Sequence, residues 1–420
     1  MITEFKSVLK TPKFLYLWIS QILSQVTVNI MNFLLLARLF TATHSAIATS
    51  LLWVSYSLPA VILGPIGAAT VDLVSRRKML MITNLLQAAT VFAYIFINQQ
   101  SIFILYAVVL AYSALNQFYG PAESAELPST VGKSMLARAN SLFFITLQAS
   151  LILGFGFAGI IQKLIGFDGA LILCSAFLFI AFISVSFLDE AAPVKELPDE
   201  FEKKLKTFFN LIVEGYEFIR KNKSILFPIL ILLGIQAALA IVAVSLPVIS
   251  TDILNVSVNL AGVSIVVPAG IGALAGSFYV PRLVKKGWRK KTLIEVGFGA
   301  VTVSLLALSI GIPFLPEVVR VGVTSILIML TGFAFVGIDI PTLTFLQEST
   351  PEWFRGRVFG NLWFLTSLIS IFPVLFSGAI SEIFGIKTLL GLMGIGALLV
   401  LVFSMKRGQN LIETQLYNGN

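Results

Sequence analysis

Twelve apolar stretches, each about as long as a bilayer-spanning helix, constrain this chain more than any other feature. A membrane-spanning helix needs about 20 apolar residues, and its backbone groups have to bond within their own segment. The sequence therefore predicts an all-α membrane protein with twelve transmembrane helices. The stretches cover approximately residues 14–40, 46–71, 79–98, 102–120, 139–163, 167–188, 224–249, 258–284, 292–312, 318–346, 358–382 and 386–405.

Composition excludes most soluble classes. Of the 420 residues, 57% are hydrophobic and 12% are charged, which is half of the roughly 25% charged residues in soluble domains. The only cysteine is Cys174 and the only histidine is His44, so a disulfide framework, a metal site or a catalytic triad has too few residues. We therefore expect no enzyme, no cofactor and no metal. The basic residues are dispersed between apolar stretches, which argues against nucleic-acid binding.

Lysine and arginine also set the orientation. With the N-terminus inside the cell, the inner segments hold 25 of the 29 basic residues. Cytoplasmic loops of membrane proteins carry such an excess, so both termini are predicted to be cytoplasmic. The stretch after Lys13 is too long and too polar to be a cleavable signal peptide, and we interpret it as the first span.

A single long polar segment divides the chain. Residues 189–223 contain Pro193 and Pro198 and then apolar residues at helical spacing, which predicts an amphipathic helix on the inner membrane face. We expect one helical bundle at 1–188, a cytoplasmic linker at 189–223 and a second bundle at 224–420. The apolar residues of the linker helix are Phe201, Leu205, Phe208, Ile212, Tyr216 and Ile219.

An internal repeat supports two six-helix halves. The second span ends in small residues followed by a basic cluster (Gly67 to Lys78), and the eighth does the same (Gly276 to Lys291). The fourth and tenth spans are each expected to end in a proline-flanked loop, at residues 121–128 and 341–351. Matching loops in two halves predict bundles related by a pseudo-two-fold axis.

The segment from Gly64 to Lys78, GPIGAATVDLVSRRK, resembles the loop motif of the major facilitator superfamily of secondary transporters. Residues 139–142, 214–220 and 351–359 are similar to the branch that holds macrolide-efflux proteins and the enterobactin exporter. The resemblance covers nearly the whole chain. It implies the major facilitator fold, alternating access, and a substrate site between the bundles near the membrane midplane.

The resemblance also implies a conformational latch. In the superfamily the carboxylate that matches Asp72 faces the start of the eleventh span, where a helix N-terminus favours negative charge. Arg76, one turn further along, is positioned to pair with it, and Arg77 and Lys78 complete the basic cluster. The alternative is a solvated helix end whose basic residues only set the orientation.

Polar residues in the first span indicate a substrate cavity. Polar side chains that face lipid are costly, so these should face either a water-filled cavity or another helix. Gln148 in span five and Gln236 in span seven are further cavity candidates. Arg38, near the outer end of span one, either reaches the interface or favours an anionic group on the substrate. The polar stripe of the first span consists of Gln21, Ser24, Gln25, Asn29 and Asn32.

Asp339 is the candidate for coupling to protons, because we place it well inside span ten, and a buried carboxyl can take up and release a proton. The alternative is that it bonds a backbone group freed by Pro341 or a neighbouring amide.

These features predict a monomeric transporter in a bacterial inner membrane. We expect it to export a small amphipathic or siderophore-like compound, with protons as the coupling ion. An importer, or a facilitator for lipids or organic anions, is the first alternative. A membrane receptor that transports nothing is a remote one.

Overall fold

The computed structural model describes residues 7–71, 74–97, 101–132, 135–190 and 199–412, and within them it is helical without strands. Asp72 lies outside the described residues. Short π- and 3₁₀-helical turns precede α8 and follow α9. The helices are α1 (Pro12–Thr43), α2 (Ala46–Thr70), α3 (Arg76–Phe96), α4 (Ile102–Thr130), α5 (Leu136–Ser186), α6 (Asp199–Lys221), α7 (Lys223–Asp252), α8 (Val267–Lys285), α9 (Lys290–Leu306), α10 (Glu317–Ser349), α11 (Glu352–Phe384) and α12 (Ile386–Ile412).

Helix α5 contains two of the expected spans. It runs for 51 residues, but Gly166 has φ 76° and ψ 172°, far from helical values. Glycine adopts a positive φ without steric cost, so the chain breaks its helix there. Eleven helical segments among the described residues are long and apolar enough to cross a membrane. With α5 divided at Gly166, they give the twelve predicted spans and confirm the all-helical fold.

The fourth span ends later than expected, and the inner loops expected at 121–128 and 341–351 are largely helical. Pro121 lies inside α4 and Pro341 inside α10, and both helices continue for at least two further turns. A proline removes one backbone donor but does not have to end a helix, and membrane helices tolerate it where neighbouring groups satisfy the freed carbonyl. Glu123 and Glu126, which we assigned to an inner loop, are therefore buried residues of α4.

The chain divides into two compact units. One comprises residues 1–44 and 52–209, and the other comprises 45–51 and 210–420. The boundary at 209/210 lies inside the segment 189–223. In the first unit α1 packs along α5, and α3 packs against α4 and α5. In the second, α10 packs against α8 and α9, and α7 packs against α11.

Residues 45–51 belong to the second unit, and the side chain of Glu382 on α11 binds them. Its carboxylate accepts hydrogen bonds from Ser45 Oγ at 2.6 Å and from the backbone N–H of Ile47 at 2.9 Å. Ser45 Oγ also accepts from the backbone N–H of Ala48 at 3.1 Å. The free N–H groups in the first turn of α2 therefore have two capping side chains, Ser45 just before the helix and Glu382 of α11.

Glycines set the closest helix contacts in both units. A Cβ added to Gly67 of α2 would lie 2.1 Å from the carbonyl oxygen of Gln117 on α4. In the second unit, a Cβ on Gly272 of α8 would lie 1.9 Å from Met329 O on α10, and one on Gly332 of α10 would lie 2.1 Å from Ala269 O on α8. Small residues allow such backbone approach in membranes, and each unit uses them at the equivalent helix pair.

We expect Gly332→Ala to lower stability, because its methyl group would have to displace backbone rather than a flexible side chain. Overpacking of this kind costs about 1–3 kcal/mol. Thermal unfolding of the purified protein in detergent measures the effect. Gly337→Ala, five residues further along α10 and with nothing within 4 Å of its added Cβ, is the matched control. A Gly332→Ala protein that unfolds at or above the parent's temperature contradicts the packing argument.

Candidate functional site

The polar stripe of α1 turns partly toward α5. Gln21 is buried and donates from Nε2 to the backbone oxygen of Phe143 at 3.2 Å. Asn29 donates to the backbone oxygen of Gln25 at 2.7 Å, and its Cβ lies against Gly154. Ser24 is buried and Gln25 half-buried. The part of the stripe that carries Gln21 and Asn29 therefore makes helix–helix contacts.

Asn32, at the far end of the stripe, lines a small cavity of about 20 Å³ in the first unit. It bonds with the side chain of Tyr56 on α2. The rings of Trp53 and Tyr56 lie 6.3 Å apart at one side of the pocket. One amide and one phenol thus stand in an otherwise apolar and aromatic wall, the usual composition of a small-molecule site. The lining residues are Asn32, Leu36, Leu52, Trp53, Tyr56, Val109 and Phe155.

The other three cavity candidates have different surroundings. Arg38 places its guanidinium carbon 4.3 Å from the ring centre of Phe167, a cation–π contact. Gln148 on α5 is exposed, and Gln236 on α7 is half-buried. Neither glutamine lines the pocket that contains Asn32.

Asp339 is half-buried on α10, two residues before Pro341. The structure gives its carboxylate no hydrogen bond or ion pair with any residue in the described ranges. The expected alternative, a bond to a freed backbone group or a neighbouring amide, is not observed in those ranges.

The basic residues of the predicted latch tie the start of α3 to its neighbours. Arg76 donates to the backbone oxygen of Ala125 at 2.9 Å, and Arg77 donates to that of Ser186. Lys78 forms an ion pair with Glu190 at 2.5 Å. The hydrogen bond from Lys78 and the positive charge of that lysine hold the pKa of Glu190 below its usual value. The three basic residues therefore have structural partners, whatever Asp72 contacts.

Two of the segments used for the resemblance pack on each other in the second unit. Phe218 of α6 stacks on Phe354 of α11 with ring centres 4.3 Å apart. Glu214 pairs with Arg357 at 2.8 Å. A Cβ on Gly215 would lie 2.1 Å from Nδ2 of Asn361 and 3.0 Å from the backbone oxygen of Arg357. We call this contact the linker seat.

The linker seat corrects our expectation for the end of the linker helix. Ile219, expected on the membrane face, is 3% exposed and packs with Leu346, Val358 and Leu362. Tyr216 remains exposed. The last two turns of α6 therefore pack on α11 through a face that includes Gly215. The apolar periodicity alone had suggested that this face contacts lipid.

Sequence reasoning missed that Tyr119 and Glu123 are buried in α4, where the Tyr119 hydroxyl donates a hydrogen bond to the Glu123 carboxylate. Because Pro121 suggested the end of a helix, the residues after it were assigned to a loop. The available signal was the four-residue spacing of Tyr119 and Glu123, which places both side chains on one face if the helix continues. Among the described residues, no group of three or more His, Cys, Asp or Glu side chains could hold a metal ion.

Hydrophobic helices in two units, each long enough to cross a bilayer, define a multi-pass membrane protein. The chain belongs to the Major Facilitator Superfamily, whose family model matches residues 17–372. It is 23% identical over 381 residues to the uncharacterised MFS-type transporter YfiS of Bacillus subtilis (strain 168), covering 90% of this chain and 88% of YfiS. It is 22% identical over 415 residues to the uncharacterised MFS-type transporter YfmI of the same strain, covering 93% and 96% of the two chains.

Solved transporter structures share the fold at low sequence identity. The nucleoside transporter NupG superposes with a TM-score of 0.73 at 15% identity, over 93% of this chain and 98% of NupG. A bacterial homologue of the human lysosomal transporter Spinster gives 0.74 at 12% identity, over 94% and 96% of the two chains. The peptide transporter POT in complex with alafosfalin gives 0.76 at 11% identity, over 95% of each chain. These likenesses show the fold.

We expect Gly215→Leu to unseat the end of α6, because its side chain would overlap Asn361 and the backbone of α11. A disulfide between cysteines placed at Glu214 and Arg357 reports the seat, and its yield should fall several-fold in the Gly215→Leu background. Glu217→Gln is the matched control, since the ion pair that Glu217 forms among the described residues lies along its own helix, with Lys221 at 3.2 Å. An unchanged disulfide yield in Gly215→Leu contradicts the seat.

Proposed function

We propose that this secondary transporter exports a small amphipathic compound from the cytoplasm by alternating access, with the proton gradient as its energy source. Membership of the superfamily supports transport of a small molecule. The substrate class is inferred from the pocket of the first unit. There the Asn32 amide and the Tyr56 phenol offer hydrogen bonds between the aromatic walls of Trp53 and Phe155.

That combination favours a ligand with one flat apolar part and one polar edge. Aromatic rings offer large apolar faces, while a single amide fixes the orientation of the ligand through its hydrogen bonds. A siderophore-like or macrolide-like compound has both parts, in keeping with the resemblance of residues 214–220 and 351–359 to the macrolide-efflux and enterobactin-export branch. Export and the choice of branch rest on that resemblance.

The remaining parts of the proposal follow the charge pattern. Both termini face the cytoplasm of a bacterial cell, because 25 of the 29 basic residues then lie inside, and the transporter works as a monomer in the inner membrane. Relatives in Bacillus support a bacterial setting. Asp72 with Arg76, Arg77 and Lys78 acts as the latch. Ser24, Gln25, Gln148, Gln236 and Arg38 belong to the wider cavity, whereas Gln21 and Asn29 hold α1 against α5.

A second candidate function is import or facilitated movement of an organic anion or lipid. The second unit holds a small apolar cavity of about 20 Å³ whose lining includes Lys290 and Lys291. Both lysines pair with glutamates, Lys290 with Glu348 and Lys291 with Glu295. An anionic head group would compete for those lysines while its chain occupied the apolar lining.

The direction of transport separates the two candidates. Extracts and medium of a strain that lacks the protein are compared with those of its parent by untargeted mass spectrometry. A compound that accumulates inside and disappears from the medium supports export and supplies the substrate. A compound that stays outside and is missing inside contradicts export and favours the second candidate.

With the exported compound in hand, Asn32→Ala is expected to raise KM about fivefold, the equivalent of one neutral hydrogen bond of about 1 kcal/mol. Uptake into inside-out vesicles measures it. Thr90→Ala is the control, because in the described part of the chain the Thr90 hydroxyl donates to the backbone of its own helix, at Leu86. An unchanged KM in Asn32→Ala would contradict substrate binding in this pocket.

Asp339→Asn should abolish accumulation driven by a pH gradient while leaving exchange of labelled for unlabelled compound, because the amide cannot carry a proton. Vesicles with and without an imposed pH gradient distinguish the two activities. Accumulation equal to the parent's in this variant would exclude Asp339 as the coupling residue.

A further inference from the structure

Glu123 is a buried acidic residue of α4 that none of the preceding roles uses. Its side chain is 7% exposed, and its Oε1 accepts a hydrogen bond from the Tyr119 hydroxyl at 2.9 Å. Within the ranges that the structure describes, no lysine, arginine or histidine forms an ion pair with it. A buried charge without an opposite charge is costly, and an ionisable group inside a membrane segment usually has a function.

The bond to Tyr119 continues across three helices. The Tyr119 hydroxyl lies 3.1 Å from Ser20 Oγ on α1, and Asn84 Nδ2 on α3 donates to Ser20 Oγ at 3.1 Å. Ser20 and Asn84 are fully buried, and Tyr119 is 1% exposed. An enclosed hydrogen-bond chain therefore joins an amide on α3 to a carboxyl on α4 through a hydroxyl on α1, and Ser24 of α1 is a further partner of the Tyr119 hydroxyl.

This chain has two possible polarities. When Glu123 is charged, each group donates toward it, from Asn84 to Ser20, from Ser20 to Tyr119 and from Tyr119 to the carboxylate. When Glu123 is protonated, its hydroxyl donates to Tyr119, Tyr119 donates to Ser20, and Ser20 donates to the Asn84 oxygen after the amide turns. That oxygen, Oδ1, is buried and has no hydrogen-bond partner among the described residues. Hydroxyls both donate and accept, so either polarity keeps all three bonds.

Charged groups on the neighbouring helices have other partners. Arg76 at the start of α3 donates to the backbone of Ala125. Glu126, on α4, accepts from Ser129 Oγ at 2.6 Å. Lys13 of α1 pairs with Asp189, which follows α5. Of the titratable side chains in the described ranges, Tyr119 is the one bonded to Glu123.

We propose that Glu123 is a proton-binding site, and that Tyr119, Ser20 and Asn84 form the hydrogen-bond chain that accommodates its two states. The carboxylate takes one proton from water and later returns it, and no other covalent bond changes. A role in coupling rests on the proposed function, whereas proton binding itself does not. The chain passes through the helix that lines the pocket: Ser20 and Asn32 are 12 residues apart on α1, which is about 18 Å at the helical rise.

Infrared spectroscopy of the protein in lipid bilayers, titrated with pH and without any substrate, tests the site directly. A protonated carboxyl has its own carbonyl stretching band. Glu123→Gln should remove one component of that band, and Tyr119→Phe should shift the same component because it removes the hydrogen bond to Oε1. Tyr112→Phe is the matched control and should leave the component unchanged. Tyr112 is 2% exposed on the same helix, and its hydroxyl has no partner within the described part of the chain.

The proposal is overturned if Glu123→Gln keeps every component of the parent spectrum, or if Tyr119→Phe leaves the component in place. The Tyr119→Phe result decides the question if Glu123→Gln does not fold. Asp339→Asn, recorded in the same way, identifies any component of the coupling residue proposed above. If Asp339 does not carry the coupling proton, or if the protein does not export, the result for Glu123 is therefore unaffected.

Discussion

The bilayer's inability to hydrogen-bond a backbone is the constraint on which the rest of this structure depends. Each span has to satisfy its own N–H and C=O groups, so the chain consists of helices. Lipid surrounds apolar side chains as readily as other helices do, so hydrophobicity alone cannot choose helix neighbours. Close backbone contacts at Gly67, Gly272 and Gly332 determine which helices pack together. Buried hydrogen-bond chains such as Ser20–Tyr119–Glu123 make that pairing more specific.

Most of the fold could be predicted because span length and hydropathy are local properties. All-helical spans, a break between the fifth and sixth, and a linker helix follow from residues close together in sequence. Proline was misleading at Pro121 and Pro341, because its effect depends on whether neighbouring groups can satisfy one freed carbonyl. The burial of Glu123 and Glu126 was missed as a result.

The candidate site was less accessible to prediction. Helical spacing shows that Gln21, Asn29 and Asn32 lie on one broad stripe of α1, but it does not show which neighbour covers each part. Gln21 and Asn29 contact α5, and Asn32 borders the pocket. The linker seat was equally hidden, since an apolar face that binds lipid and one that binds α11 have the same periodicity. The glycine within that face, Gly215, is what separates the two cases.

The double capping at the start of α2 has a consequence for reversibility. Glu382 bonds both Ser45 and Ile47, yet Ser45 keeps its own bond to Ala48. If the carboxylate withdraws, the helix end retains an acceptor from its own chain, and its hydroxyl is left to face water. The start of α2 therefore stays capped with or without Glu382, so loss of this contact would not by itself fray the helix.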